Sequence, residues 1–283
     1  MKILISGITG LVGSEISSVA KDRGWSVVGA SRHPGVNSLT YAVGDGERFE
    51  KTIDDTHPEA IIYCSAWTNV DACEESPETC LHANSILPGL AAKAANERGI
   101  HFALFSSSYV FEGTKPKYHE TDDPNPVNWY GESKRIAEKL VMHNIKKNLL
   151  IIRTMGVYGF KPEGKDFLQQ VIRAVGGGCK KKVANDQYGN FTFVKDLAES
   201  CLSLLEAKAT GIWHVAGPEP SLCRSDIAKQ ICRLGGWDEG LIEPVPSSFL
   251  NQKARRPKYG GLDISKLKTM GFKMRTLKEA WSS

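Results

Sequence analysis

Short apolar runs alternate with amphipathic stretches through the first half of this chain. MKILIS opens it, followed by a helical pattern from Ser14 to Arg23 and then by WSVVGAS. A polar stretch ending at His57-Pro58 leads to AIIYCSA, a helix-like segment from Pro77 to Arg98, and HFALFSSS. Tyr130 to Asn144 reads as a helix and NLLIIRT as another strand. Continuously apolar strands separated by helices predict a parallel sheet covered on both faces. The predicted class is therefore α/β, with a doubly wound parallel sheet over residues 1–154.

The pattern loosens after Thr154. Glycine and proline become frequent, at Gly176 to Gly178, Pro218, Pro220, Pro244, Pro246 and Pro257. Residues 155–283 read as a smaller, mixed α/β region that is mainly substrate-binding, with elements such as GIWHVAG returning to the main sheet. There is no internal repeat or low-complexity tract.

Composition narrows the class further. The 283 residues are 41% hydrophobic and 24% charged, a globular profile. A net charge of +4 without a long basic stripe argues against a nucleic-acid partner. Lys180 to Lys182 reads as a solvated loop. MKILISG lacks the features of a signal peptide, and no run reaches the roughly eighteen apolar residues needed to span a bilayer. The seven cysteines are scattered, with no C-x-x-C pair, which argues against a disulfide framework or zinc site and for a reducing compartment. A cytoplasmic protein with no membrane partner and no metal is expected.

Gly7-Ile8-Thr9-Gly10-Leu11-Val12-Gly13 joins the first strand to the first helix in a G-x-x-G-x-x-G spacing. In that context glycines allow a tight turn and let backbone amides approach a pyrophosphate at the helix N-terminus. The second strand ends in Ser31-Arg32-His33, with no acid to hold ribose hydroxyls. Arg32 can stack on adenine and pair with a 2′-phosphate, and Ser31 can hydrogen-bond it, which favours NADP(H). Asp45 and Gly46 are candidate contacts for the adenine edge.

Tyr130 and Lys134 form a Y-x-x-x-K pair, one helical turn apart on the same face. An ammonium beside a phenol favours its ionised form and makes it a usable acid and base. The pair lies downstream of HFALFSSS, whose terminal hydroxyls can reach the same carbonyl oxygen.

GITGLVG, CSAWTNVDACEESPE, Asn84, FSSSYVFEG, YGESK, RTMGVYG, NDQYG and ARRPKYGGLD together resemble the extended short-chain dehydrogenases of the NAD-dependent epimerase/dehydratase superfamily. Within them, the chain is most similar to the dTDP-4-dehydrorhamnose reductase group. The resemblance implies a Rossmann fold and NADPH-dependent reduction of a nucleotide-linked 4-keto-6-deoxysugar. Carried onto this sequence, it makes Ser107 the hydroxyl that polarises the carbonyl and Tyr130 the proton donor. Lys134 tunes the tyrosine and orients the cofactor. Cys64, Ser65, Ala66 and Thr68 would line the cofactor, and Val70, Asp71, Ser108 and Tyr109 would touch substrate. Trp67 either stacks on substrate or fills the wall beside the cofactor. Arg255 and Arg256 are candidates for the nucleotide diphosphate, and a homodimer is an expected assembly.

Some residues depart from the group's pattern. Ser108 stands where an aspartate is usual, and Gly156 where a tryptophan is usual, which predicts an opened sugar pocket. Phe191 to Leu197 is closer to the epimerase and dehydratase style. Two other functions therefore stand beside the reductase: an epimerase or dehydratase, and a non-catalytic NADP-binding regulatory subunit of the methionine adenosyltransferase type. His214 reads as a packed strand residue.

Overall fold

A computed structural model of the protein describes residues 1–31 and 46–283, with 46–48 described by backbone alone. The first half runs β1 (Lys2–Ser6), α1 (Leu11–Asp22), β2 (Ser26–Ala30), α2 (Gly46–Thr56), β3 (Ala60–Tyr63), α3 (Val70–Glu75), α4 (Pro77–Leu81), α5 (Leu87–Glu97), β4 (His101–Ser107), α6 (Trp129–Asn144) and β5 (Leu149–Thr154). The second half contributes α7 (Phe167–Gly176), β6 (Lys181–Ala184), β7 (Tyr188–Gly189), α8 (Val194–Glu206), β8 (Gly211–His214), β9 (Leu222–Cys223), α9 (Arg224–Gly235) and β10 (Ile242–Val245). Two short helices, α10 (Ser265–Lys268) and α11 (Leu277–Trp281), close the chain.

Six strands form one parallel sheet in the order β2-β1-β3-β4-β5-β8. The doubly wound α/β prediction holds. Residues alternate between its faces: Ile3 and Ile5 pack under α1 and α8, whereas Leu4 packs under α2, α5 and α6. In α1, Ile16, Val19 and Ala20 form the buried stripe. Small residues let α5 and α6 approach closely. Ala91, Ala92, Ala94 and Ala95 are buried, and a Cβ at Gly89 would lie 3.3 Å from that of Leu140.

Three segments differ from the sequence pattern. The polar stretch before His57 contains α2, whose only large buried apolar side chains are Phe49 and Ile53, too narrow a stripe to stand out. Pro77 to Arg98 is helical throughout, as read, but not uniformly α: a π-helical turn over His82–Ile86 joins α4 to α5. Pro88 in the first turn of α5 brings no amide to bond backward, and the widened turn directs Asn84 inward. Lys181 and Lys182 lie in a strand, not a solvated loop. β6 pairs with β10, placing Lys182 opposite Glu243, while Val183 and Ala184 are buried. Among the described residues no helix is long and apolar enough to cross a membrane.

Candidate active site

The sheet order changes direction at β1, which carries β2 on one side and β3 on the other. Crevices at the carboxyl ends of such strands are the usual ligand sites of doubly wound sheets. Gly7 turns there with φ +78° and donates its amide to Ala30 O at 2.8 Å. A Cβ on Gly7 would lie 2.9 Å from Ser65 N, and one on Gly13 only 2.3 Å from Gly7 O. Glycine is thus required both for the turn and for seating α1 against it. Gly10 precedes α1 and no side chain caps that terminus, so the first-turn amides remain as donors facing the crevice.

Gly7, Thr9, Gly10, Ser31, Cys64, Ser65 and Ala66 line one groove together with Trp67, Ala83 and Leu87. The Thr9 and Ser31 hydroxyls are hydrogen-bonded at 3.0 Å, and those of Ser6 and Ser65 at 2.6 Å. Trp67 forms part of this wall, and its backbone is clamped by Asn84: Trp67 N donates to Asn84 Oδ1 at 2.7 Å and Asn84 Nδ2 donates to Trp67 O at 3.0 Å. Leu11 and Val12 pack partly into the core beneath α1, and Thr68 is exposed beyond the groove. Ala83 and Leu87 gave no sequence signal, because their part in the wall depends on the π-helical turn. Arg32 and Asp45 lie outside the described residues, and Gly46 is described only as the backbone start of α2.

Ser107 ends β4, in register with Thr154 at the end of β5. Its Oγ accepts the Tyr109 amide at 3.2 Å and lies close enough to the Tyr130 hydroxyl to influence its ionisation. Tyr130 is presented by the first turn of α6, whose N-cap Asn128 accepts the Gly131 amide at 2.8 Å. A Cβ at Gly131 would fall 2.1 Å from Tyr109 O, so glycine lets α6 descend onto this loop. One turn later, Lys134 is 4% exposed and donates to Phe105 O at 3.1 Å. The three residues named from the sequence converge at the carboxyl edge of β4.

Burial governs their protonation. It pushes the Tyr130 phenol well above its ordinary range, with the nearby Ser107 hydroxyl pulling the other way. Burial also brings the Lys134 ammonium down to about 8. Desolvation is the largest influence on the phenol here and favours its protonated form. A protonated Tyr130 beside Ser107 can supply a proton to an oxygen placed between them.

The residues read as substrate contacts fall in two groups. Val70 and Asp71 open α3, and Asp71 Oδ1 accepts the Ala254 amide and meets Arg256 Nη1, both at 3.0 Å. Burial opposes ionisation of Asp71, but these hydrogen bonds hold its carboxyl below the usual carboxylate range. Ser108, Tyr109 and Gly156 lie around the ends of β4 and β5. Ser108 Oγ is buried without a partner among the described residues, and the Tyr109 ring meets Tyr130 edge-on at 5.7 Å. Gly156 has φ +52°, and a Cβ there would lie 2.7 Å from the Phe191 ring. Phe191 therefore fills the room that a side chain at 156 would take, in contrast to the expected opening. Arg255 is exposed, and its carbonyl accepts from Asn128 Nδ2 at 2.8 Å. His214 is fully buried against Phe111, and burial lowers its imidazole to about 3, as fits a packed residue.

The RmlD substrate binding domain family matches residues 1–283. A probable low-salt glycan biosynthesis reductase of Haloferax volcanii is 32% identical, over 99% of this chain and 95% of its own length. Methionine adenosyltransferase 2 subunit beta of Rattus norvegicus is 30% identical, over 97% and 84%. The crystal structure of dTDP-4-dehydrorhamnose reductase from Bacillus anthracis in complex with NADP superposes with a TM-score of 0.91 at 25% identity, covering 99% of this chain and 97% of that one.

Proposed function

Because the chain belongs to the RmlD substrate binding domain family, we propose that it reduces the keto group of a nucleotide-linked 4-keto-6-deoxysugar at the expense of NADPH. The observation that carries this reading is the meeting of Tyr130, Ser107 and Lys134 beside the groove formed by Gly7, Gly10 and Ser65. The fit to a dinucleotide rests on the close approach at Gly7 and Gly13 and on the uncapped start of α1. Gly7, Thr9, Gly10, Leu11, Val12 and Gly13 would cradle its pyrophosphate. Cys64, Ser65, Ala66 and Thr68 would follow its nicotinamide half, and Ser31, Arg32, Asp45 and Gly46 its adenosine. When bound, the reduced nicotinamide supplies the hydride.

The protein's own part is to position the sugar carbonyl and manage one proton. Ser107 donates a hydrogen bond to the carbonyl oxygen, and Tyr130 transfers its proton there as negative charge develops. Lys134 sits within the helix beneath the tyrosine and limits the charge left on the phenolate. Val70, Asp71, Ser108, Tyr109, Gly156 and Arg256 frame the sugar-nucleotide side.

Oxidation of NADPH with a panel of nucleotide-linked 4-keto-6-deoxysugars tests the reading, with Tyr130→Phe as control. Turnover lost in the variant supports the reductase. A regulatory subunit is the second reading, favoured by the 30% identity to the methionine adenosyltransferase subunit. It predicts tight NADPH binding without turnover on any sugar. Epimerase or dehydratase chemistry has less support, since Ser108 leaves no carboxylate beside Ser107.

A further inference from the structure

Several arginines of this chain are matched by a carboxylate: Arg153 by Glu138, Arg256 by Asp71 and Arg275 by Asp196. Arg224, the first residue of α9, is not. Among the described residues its guanidinium has no ion pair and no hydrogen bond, although the side chain is half-buried. What holds it is aromatic. Its central carbon lies 4.7 Å from the Phe167 ring centroid and 5.6 Å from that of Phe191. Contact with two rings holds a guanidinium in place without using its N–H donors in hydrogen bonds.

The location ties this cation to the substrate side. The Phe191 ring abuts Gly156, two residues past Thr154, which is in register with Ser107. The Arg224 amide donates to Gln187 O at 3.0 Å, which anchors the start of α9 beside β7. Phe167 and Phe191 also line a cavity of about 220 Å³ together with Gly189 and Leu222. Arg256, the sequence candidate for the diphosphate, is already committed. It lies 3.0 Å from Asp71 and donates to Ala254 O at 2.8 Å. A substrate anion would have to compete with Asp71 for it, whereas Arg224 has no such rival.

We propose that Arg224, braced by Phe167 and Phe191, is the residue that binds the diphosphate of the sugar nucleotide. This rests on the sugar-nucleotide reading above and assigns the anion's place within it. A planar guanidinium fork suits a pair of phosphate oxygens. It contributes the same contact before and during hydride transfer, so its loss should appear in KM and leave kcat unchanged.

The test is calorimetric titration of the NADPH-loaded enzyme with UDP, dTDP and GDP, and with the corresponding nucleosides, in the native protein, Arg224→Ala and Arg224→Lys. The expected result is diphosphate binding weakened at least tenfold in Arg224→Ala, a smaller loss in Arg224→Lys, and nucleoside and NADPH binding within twofold of native. With a turned-over sugar nucleotide, KM should rise by a similar factor at constant kcat. Equal diphosphate binding by the native protein and Arg224→Ala would overturn the assignment and leave the reductase standing. So would equal weakening of nucleosides and diphosphates, which marks a structural defect. A native enzyme that binds no nucleoside diphosphate and turns over no sugar nucleotide would overturn both readings.

Discussion

Arg153 at the end of β5 holds Glu138 of α6 in a two-pronged ion pair, with Nε–Oε1 at 2.9 Å and Nη2–Oε2 at 2.7 Å. Ser106 donates to the same Oε1 at 2.5 Å, so three elements meet at one carboxylate. Glu138 lies one turn beyond Lys134, which lies one turn beyond Tyr130. The pair therefore sets the height of α6 over the strand that carries Ser107. Both side chains are 2% exposed, and removing either leaves an uncompensated buried charge. Arg153→Met or Glu138→Leu alone should cost about 3–5 kcal/mol. The double variant should cost clearly less than the two losses combined, and urea denaturation of all four proteins measures this. Strict additivity would mean that the pair is not coupled in the folded state.

Tyr130→Phe keeps the ring against Tyr109 and removes only the hydroxyl that carries the proton. Turnover should fall by roughly 10²–10⁴, the usual share of a positioned acid. NADPH affinity, followed by fluorescence, should hardly change. Ser107→Ala should act in the same direction, and Ser107→Thr, which keeps the hydroxyl, should restore most of the rate. A Ser107→Ala enzyme with native turnover would remove that hydroxyl from the mechanism.

Local sequence was enough for the parts of this site that lie close together in the chain. Gly7, Gly10 and Gly13 announce their turn by spacing, and Tyr130 and Lys134 share a helix face through a four-residue step. The parallel sheet was legible because its strands are apolar on both faces. The Arg153–Glu138 pair was not, because a charged residue within an apolar strand has no local signature. Arg224 meets Phe167 and Phe191 across 57 and 33 residues of chain, so only the fold brings them together. The role of Phe191 against Gly156 was hidden in the same way. Glycine in place of a large side chain reads as open space until a distant ring is found filling it.

Lys134 makes stability depend on pH in the cofactor-free protein. Its folded-state value of about 8 lies below the ordinary 10.5, so between these limits the unfolded chain holds a proton that the folded chain lacks. Stability should therefore rise as pH increases through that window, and the burial penalty should be fully present below pH 8. The gain over the window is on the order of 3 kcal/mol at 1.36 kcal/mol per unit. Lys134→Met should be more stable than the native protein at pH 7, with the difference shrinking toward pH 10. Denaturation midpoints across this range check the sign, and a constant difference would show that Lys134 does not titrate there.

Phe191 and Gly156 should behave as one unit. A methyl group at 156 would meet the Phe191 ring at 2.7 Å, on a backbone whose φ of +52° already disfavours any side chain. Gly156→Ala should therefore cost about 1–3 kcal/mol, combining overpacking with backbone strain. Phe191→Leu removes the ring and should recover the packing share while leaving the strain. A coupling of about 0.5–3 kcal/mol in the double-mutant cycle is the signature. The same substitution tests selectivity, because it opens the wall beside β5 without touching Ser107 or Tyr130. The ratio of kcat/KM between two 4-keto sugars differing at one ring position should then shift by about 10- to 200-fold, the reach of a small apolar group in a pocket. An unchanged ratio would mean that the sugar does not touch this wall, and that Phe191 serves only to fill the space beside Gly156.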